Sequence, residues 1–503
     1  GHGDAEVVIP NSSVLKDCYK AWASIARLLE KTSEALDATD RDLPRYWICE
    51  SMAFSSLGRT RYQFPNGDGD VEKYIKGRQN SEIWGRRFGE IYRIWAGATP
   101  NIVISRPEHI ELVFKDSDKH TKATNADSGY FMSWVLGKCL GLMSGQPWKT
   151  LKAAVSPALF HRAATDNLPV TRRQIGEHFR QLERTGNLSR GAIHPVQDMK
   201  MIPFFNVAWT IYGNLTPAMV EELTRLAPLR EQLFKHVVFG GLTRFSVSQF
   251  LPLKANQELK EFKAAWRKFN AAAYEASKEK HQNTLVYSLY TAAEQGKYTI
   301  EEIDQTMDEM LYANLDVTTA ALSWNLVFLA ANPACRERLE KEIRDLYEEE
   351  ENLYLAKSDT YLAACTLESA RLRPVAPFTI PQAPSTERIV DGYRFPAKTN
   401  FVVDTWALNV RNHQWAPDNN AYRPERFLGA DMSKLRYKYW RYGFGPRQCL
   451  GKYTADIVIR AVLLHLVKNY KLSTLEHSEW ASDPECWMSH PELLIGCSSM
   501  ASP

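Results

Sequence analysis

Thr299 is followed three residues later by Glu302, and from there a helical pattern runs unbroken to Asn332 and Pro333. The Thr–Glu pair is a capping-box signature for a helix start, and the Asn-Pro step is a stop. Roughly thirty residues at about 1.5 Å each make a rod of order 45–50 Å, long enough to cross a molecule of this size. Whatever the chain folds into is built around that rod. At its middle, "YANLDVTTAAL" sets Asn314, Asp316 and the threonines Thr318 and Thr319 into an otherwise apolar helix. Polar groups there either face solvent on a partly exposed helix or are paired and used, because burying them alone costs stability.

The remaining elements are arranged around this helix. "SVLKDCYKAWASIARLLEKTSEAL" is an amphipathic helix candidate, followed by a looser stretch ending near Gly58. "GEIYRIWAG" and "NIVISR" read as short strands about a turn at "ATP", and "PEHIELVFKD" as a helix with proline in its first turn. From about 165 to 345 the pattern is almost wholly helical, and 378–406 is β-like with Pro and Gly as punctuation. No repeat and no long linker divides the chain. The expectation is a mainly α fold with a small β portion: an N-terminal helical segment over 1–60, then one domain over 61–503. The 44% hydrophobic and 24% charged fractions are those of a globular chain with a sizeable core.

A formal net charge of +3 is too small to point to nucleic acid. The eight cysteines are scattered with no CxxC pair, which suits a reducing compartment and leaves room for one structural disulfide. Asn-x-Ser/Thr occurs at Asn11, Asn187 and Asn214, matches expected by chance in a cytosol-facing chain. No run of about 18 apolar residues occurs. The sequence opens "GHGDAEVV", which suggests a tag remnant or a removed leader, with an anchor lost at that end.

One cysteine has an unusual setting. In "RYGFGPRQCLGK", Cys449 stands in a glycine- and arginine-rich turn directly before "YTADIVIRAVLLHLVKNY", whose apolar residues recur at helical spacing. Unpaired amides and the dipole at a helix start favour a thiolate. Gly443, Gly445 and Gly451 let backbone pass close to something large and flat.

Four stretches in this order, "WKTLKAAVSPALF", "ANLDVTT", "ESAR" with "YRPERF" downstream, and "YGFGPRQCLG", resemble the cytochrome P450 family of haem-thiolate monooxygenases. The resemblance constrains the chain from about residue 85 to 500, and it implies the P450 fold, with the long central helix over haem b. It implies that Cys449 is the axial ligand of the haem iron, donating electron density that favours heterolytic O–O cleavage. Arg447 then pairs with a haem propionate, and Phe444 and Gly451 belong to the haem-binding turn. Trp148 and Lys152 resemble the family's Trp-x-x-x-Arg pair, with lysine in place of arginine and the planar fork lost; a plain surface helix is the alternative. Glu368 and Arg371, with Arg426, resemble the family's buried Glu-Arg-Arg cluster, a structural device that fixes the loop delivering Cys449.

Two departures stand out. Tyr442 replaces the usual phenylalanine seven residues before the ligand. In the central helix, Asp316 is followed by Val317 where a threonine is usual, and Thr318 comes one step later. One residue is about 100° around a helix, so Thr318 does not take over that direction unless the helix bulges. Asn314, where glycine is usual, then organises a water chain, or the substrate's own hydroxyl or N–H supplies protons, or the chemistry stops at hydrogen abstraction. Asn314, Asp316 and Thr318 are the catalytic candidates. The outcomes are hydroxylation or, given Val317, desaturation, ring closure or oxidative coupling.

By the same carry-over, substrate touches Tyr130, Phe131 and Trp134, Ala313 and Val317, Phe378 and Ile380, and Trp487 and Met488. That set suits a small apolar or aromatic ring-containing metabolite; packing of the core is the alternative for about half of it. The resemblance accounts for nearly all of the given sequence, so the expectation is no fused flavin reductase and electrons from a separate NADPH-cytochrome P450 reductase, with cytochrome b5 as an optional second donor. Lys434, Arg436, Lys438, Arg441 and Lys452 form either a basic docking face or a solvated surface. "TWALNVRNHQWAPDNNAYRPERF" is of the eukaryotic type and similar to fungal biosynthetic members, implying a microsomal protein on the endoplasmic-reticulum membrane. A zinc hydrolase and a nucleotide-binding enzyme are disfavoured, since HExxH, a Walker loop and GxGxxG after a strand are all lacking. The alternatives are a haem-thiolate peroxide isomerase or dehydratase needing no external electrons, and a non-catalytic haem sensor.

Overall fold

The computed structural model describes residues 57–475, 488 and 490–500. The expected N-terminal helix and Trp487 lie outside these residues, as does Asn11. The central helix starts where the capping box puts it: the Thr299 side chain accepts from Glu302 N and Glu302 reaches back to the Thr299 amide. It runs as an α-helix over Ile300–Asp308, widens into a π turn over Glu309–Ala313, and resumes as an α-helix over Asn314–Ala331. The sequence pattern gives no sign of that π turn.

Two apolar cores meet along this helix. Ile303, Met307, Leu311 and Leu315 pack with residues of the Tyr130–Leu136, Pro217–Phe239 and Lys254–Glu279 helices. Leu322, Leu326 and Leu329 pack instead with the Tyr361–Leu372 and Lys452–Asn469 helices. A buried helix with apolar residues on all sides carries no amphipathic stripe, which is why its neighbours cannot be read from its sequence.

The β portion is small and peripheral. Its strands are β1 (Ile91–Ala96), β2 (Thr99–Ile104), β3 (Ala192–Ile193), β4 (Arg388–Val390), β5 (Tyr393–Phe395), β6 (Asn400–Val403), β7 (Tyr470–Thr474) and β8 (Ile495–Ser499). β2 pairs antiparallel with β1 and parallel with β6, in the register Asn101 to Asn400. The turn between β1 and β2 is tighter than expected, because Thr99 and Pro100 already belong to the second strand. β8 lies between β3 and β7 and brings the chain's end beside the central helix. Among the described residues, no helix is long and apolar enough to cross a membrane.

Candidate active site

The cysteine turn is shaped by its glycines. Gly443 and Gly445 take left-handed φ of +90° and +64°, a region that costs side-chain-bearing residues energy. A Cβ on Gly445 would also fall 2.5 Å from the Phe114 carbonyl oxygen and 2.7 Å from Ser117 Oγ. The turn closes on itself through the Cys449 amide, which donates to Tyr442 O at 2.8 Å, and the Lys452–Asn469 helix starts three residues on. The Cys449 side chain is accessible to solvent although protein encloses it, the condition of a group facing an internal cavity. Burial pushes its thiol up, and the Gly451 amide, Lys452 and Lys122 pull it back. The helix start therefore moderates burial without overcoming it, and a bound metal cation would hold such a sulfur as thiolate outright.

The extra hydroxyl of Tyr442 donates to Asp456 Oδ1 at 2.7 Å. Arg441 meets the same carboxylate at 2.5 Å and is mostly buried, so it is withdrawn from the expected basic face. Lys434, Arg436 and Lys438 remain exposed, while Lys452 is half-buried. Phe444 packs against Phe114 and Tyr437, with ring centroids 6.0 and 5.9 Å away.

Three cations converge on the other side of the turn. Arg447 lies over the Trp148 ring at 4.3 Å and Lys152 over the same ring at 4.7 Å, so the tryptophan holds two positive charges close together. Lys152 also donates to Pro446 O at 3.1 Å, on the outer side of the turn. Arg447 Nη2 donates to Met143 O at 2.8 Å and to Gly141 O at 3.2 Å, and Nη1 is buried without a partner. Lys122, which the sequence reading missed, donates to the same Gly141 oxygen at 3.0 Å. Burial and the nearby Arg447 charge pull Lys122 down to about 8, and burial pulls Arg447 down to about 10. Like charges gathered with an unsatisfied donor fit an anionic group such as a haem propionate, so the residues present suit the cofactor. Lys122 lies in an irregular stretch with no periodicity, and nothing in the sequence signals it.

The buried cluster assembles as a unit. Glu368 and Arg371 have no exposed side-chain surface and form a bidentate pair at 2.8 Å for both bonds. Arg426 Nε joins Glu368 at 3.2 Å, and the Arg423 amide donates to it at 2.9 Å. Arg371 also donates to the carbonyls of Asn409, Asn419 and Ala421, and Arg426 to those of Trp415 and Asp418. The charges thus stitch together the meandering segment that leads to the cysteine turn.

On the central helix, the positions keeping accessible surface through the crossing are Glu309, Met310, Ala313, Asn314, Asp316, Val317 and Ala321. With the π turn counted, Glu309, Ala313, Val317 and Ala321 follow one another at four-residue steps along one side. Glu309 accepts from the amide of Gly141, whose carbonyl Arg447 and Lys122 hold, so that side is turned toward the cysteine turn. The bulge precedes Asn314 and does not rotate Thr318 into place of Val317: Thr318 is buried, and its hydroxyl donates to Asn314 Oδ1 at 3.2 Å. His490, also missed from sequence, donates from Nε2 to the Asp316 carbonyl at 2.8 Å and fastens the C-terminal segment to this point.

Of the expected substrate contacts, Trp134, Ala313 and Val317 keep accessible surface, Ile380 is exposed, and the Tyr130 ring lies tilted against Trp134 with centroids 5.2 Å apart. Phe131 and Met488 are buried. Phe378 is fully buried as well, packed against Trp84 at 5.6 Å together with Tyr92 and Ile94 of β1 and Val402 of β6.

The cytochrome P450 family model matches residues 79–494. The chain is 59% identical over 436 residues to the cytochrome P450 monooxygenase asaD of Aspergillus flavus, covering 87% of this chain and 85% of that protein. It is 46% identical to the cytochrome P450 monooxygenase aclC of Aspergillus oryzae, over 87% and 90% of the two chains. To gliC of Aspergillus fumigatus, another cytochrome P450 monooxygenase, the identity is 39% over 90% and 91%. The chain belongs to the cytochrome P450 family, oxidoreductases that carry a haem iron and oxidise small molecules with electrons from redox partners.

Proposed function

We propose that this protein is a haem b monooxygenase of fungal secondary metabolism that oxidises a small apolar, ring-containing metabolite. Its electrons come from a separate NADPH-cytochrome P450 reductase, with cytochrome b5 as accessory donor, at the cytosolic face of the endoplasmic reticulum. Residues 61–503 act as one catalytic domain. Cys449 is the axial ligand of the iron, and Arg447, Lys122, Lys152 and Trp148 hold the propionate side. Bound haem supplies the activation of oxygen; the chain governs access, orientation and protons.

The observation that carries the need for an outside donor is the cationic surface behind the ligand turn. Lys434, Arg436 and Lys438 are exposed beside a cleft of about 510 Å³ lined by Arg436, Tyr442, Gln448 and Lys452. Such a surface suits an acidic electron-transfer protein and has no use in a self-contained peroxide isomerase. For protons, Val317 offers only methyl groups, and the Thr318 hydroxyl is committed to Asn314. Proton delivery then runs through water held at Asn314 and Asp316, which both keep accessible surface.

Turnover tests this reading. Ligands that convert the ferric haem from low to high spin are selected from a panel of ring compounds, then incubated with reductase and NADPH. Product is expected only with both present, and the reductase concentration giving half-maximal rate should rise several-fold between low salt and about 0.5 M, where screening is nearly complete. The Lys434→Glu/Lys438→Glu double variant should shift it the same way at low salt. Product formed from a hydroperoxide alone, with none from NADPH and reductase, would replace the proposal with the isomerase reading.

A further inference from the structure

Glu309 puts a carboxylate on the side of the central helix that carries Ala313, Val317 and Ala321, three residues with no polar side-chain atom. It opens the π turn, on the side that carries Ala313 and Val317, and it keeps accessible surface although protein surrounds it. The structure makes room for it. A Cβ on Gly141 would fall 1.7 Å from Glu309 Oε1 and 2.8 Å from its Cδ, so only glycine at 141 leaves the carboxylate where it is. The Gly141 amide donates to Oε2 at 2.9 Å, and the Cys139 thiol lies within hydrogen-bond reach. A carboxylate offers about four acceptor positions, and these protein donors use two. The remaining acceptor positions, on a side chain that keeps accessible surface, are open to a ligand donor.

We propose that Glu309 is a specificity residue: it accepts a hydrogen bond from an N–H or O–H on the substrate's ring system, selecting donor-bearing ring metabolites over plain hydrocarbons. The inference rests on the reading above that the space facing Cys449 is the substrate's. Lys122 and Arg447, on the cysteine side of the same cluster, supply the balancing charge.

The test uses the ferric holoenzyme and two iron-ligating probes, 4-phenylimidazole and 1-methyl-5-phenylimidazole. They bind iron through the equivalent nitrogen and differ by an N–H against an N–CH3. Soret titrations on wild type should favour the N–H probe by about tenfold, the scale of one hydrogen bond to a charged acceptor. Glu309→Leu, and Gly141→Ala, which displaces the carboxylate without removing it, should bring the two affinities to within about twofold. Glu309→Gln should retain part of the preference, since its amide oxygen still accepts. An unchanged ratio in Glu309→Leu overturns the inference, as does purification of that variant without haem, which would assign Glu309 to the cofactor's seat. If neither probe perturbs the Soret band of haem-loaded wild type, the substrate-cavity reading fails and this inference with it; if both bind and only the discrimination is unaffected, the inference fails alone.

Discussion

Replacing Glu368 with alanine is expected to leave almost no folded, haem-loaded protein. Glu368 and Arg371 are fully buried and satisfy each other through two bonds of 2.8 Å. Removing the carboxylate strands the Arg371 and Arg426 charges in a low-dielectric interior, which costs about 3–5 kcal/mol. Domains are stable by only about 5–15 kcal/mol, so one change consumes much of the margin. The loss spreads beyond the pair, because Arg371 and Arg426 between them hold the carbonyls of Asn409, Trp415, Asp418, Asn419 and Ala421. Soluble yield, haem per chain and thermal midpoint should fall together. A folded, haem-loaded and inactive Glu368→Ala protein would instead give this residue a part in the chemistry.

Arg447→Leu has the next largest expected effect, and it separates cofactor retention from folding. The guanidinium stacks on Trp148, holds two backbone oxygens and keeps a buried Nη1 without a partner. A hydrogen bond from a charged donor is worth about 1.5–3 kcal/mol, so haem transfer to excess apomyoglobin should quicken by about 10- to 100-fold. Arg447→Lys should recover only part of this, because an ammonium lacks the planar fork and cannot span the same donors. The thermal midpoint of the haem-free protein should change little by comparison. Unchanged transfer rates in Arg447→Leu would remove the residue from the propionate seat.

The sequence was legible where the cause is local. The capping box at Thr299 and Glu302 is a contact between neighbours, and so is the Glu368–Arg371 pair one helical turn apart. The glycines of the cysteine turn announce a backbone path that side chains forbid, and Gly445 takes such a path against Phe114 and Ser117. What stayed hidden arises from packing between distant segments. The π turn at Glu309–Ala313 adds a residue within one turn, so a helical wheel drawn from the sequence misaligns the two halves of the central helix. Glu309 is hidden for that reason, one acid among Glu301, Glu302, Asp304 and Asp308 along the first half of the same helix. The surroundings of Phe378 are hidden for a different reason. Alternation along a strand-like stretch says that every other residue is buried, not whether it faces the cavity or the core beneath a sheet. Arg441 read as a surface charge because its partner Asp456 lies a full turn-and-helix away.

The most direct test of the account is the carbon monoxide difference spectrum of the reduced protein, recorded for wild type and for Cys449→Ser at matched haem content. Wild type should show the red-shifted Soret band that a thiolate ligand produces. The serine variant, still binding haem through its other contacts, should lose that band and its NADPH-dependent turnover together. A thiolate-type band that persists in Cys449→Ser would mean that another residue ligates the iron, and the active site described around this cysteine would be wrong.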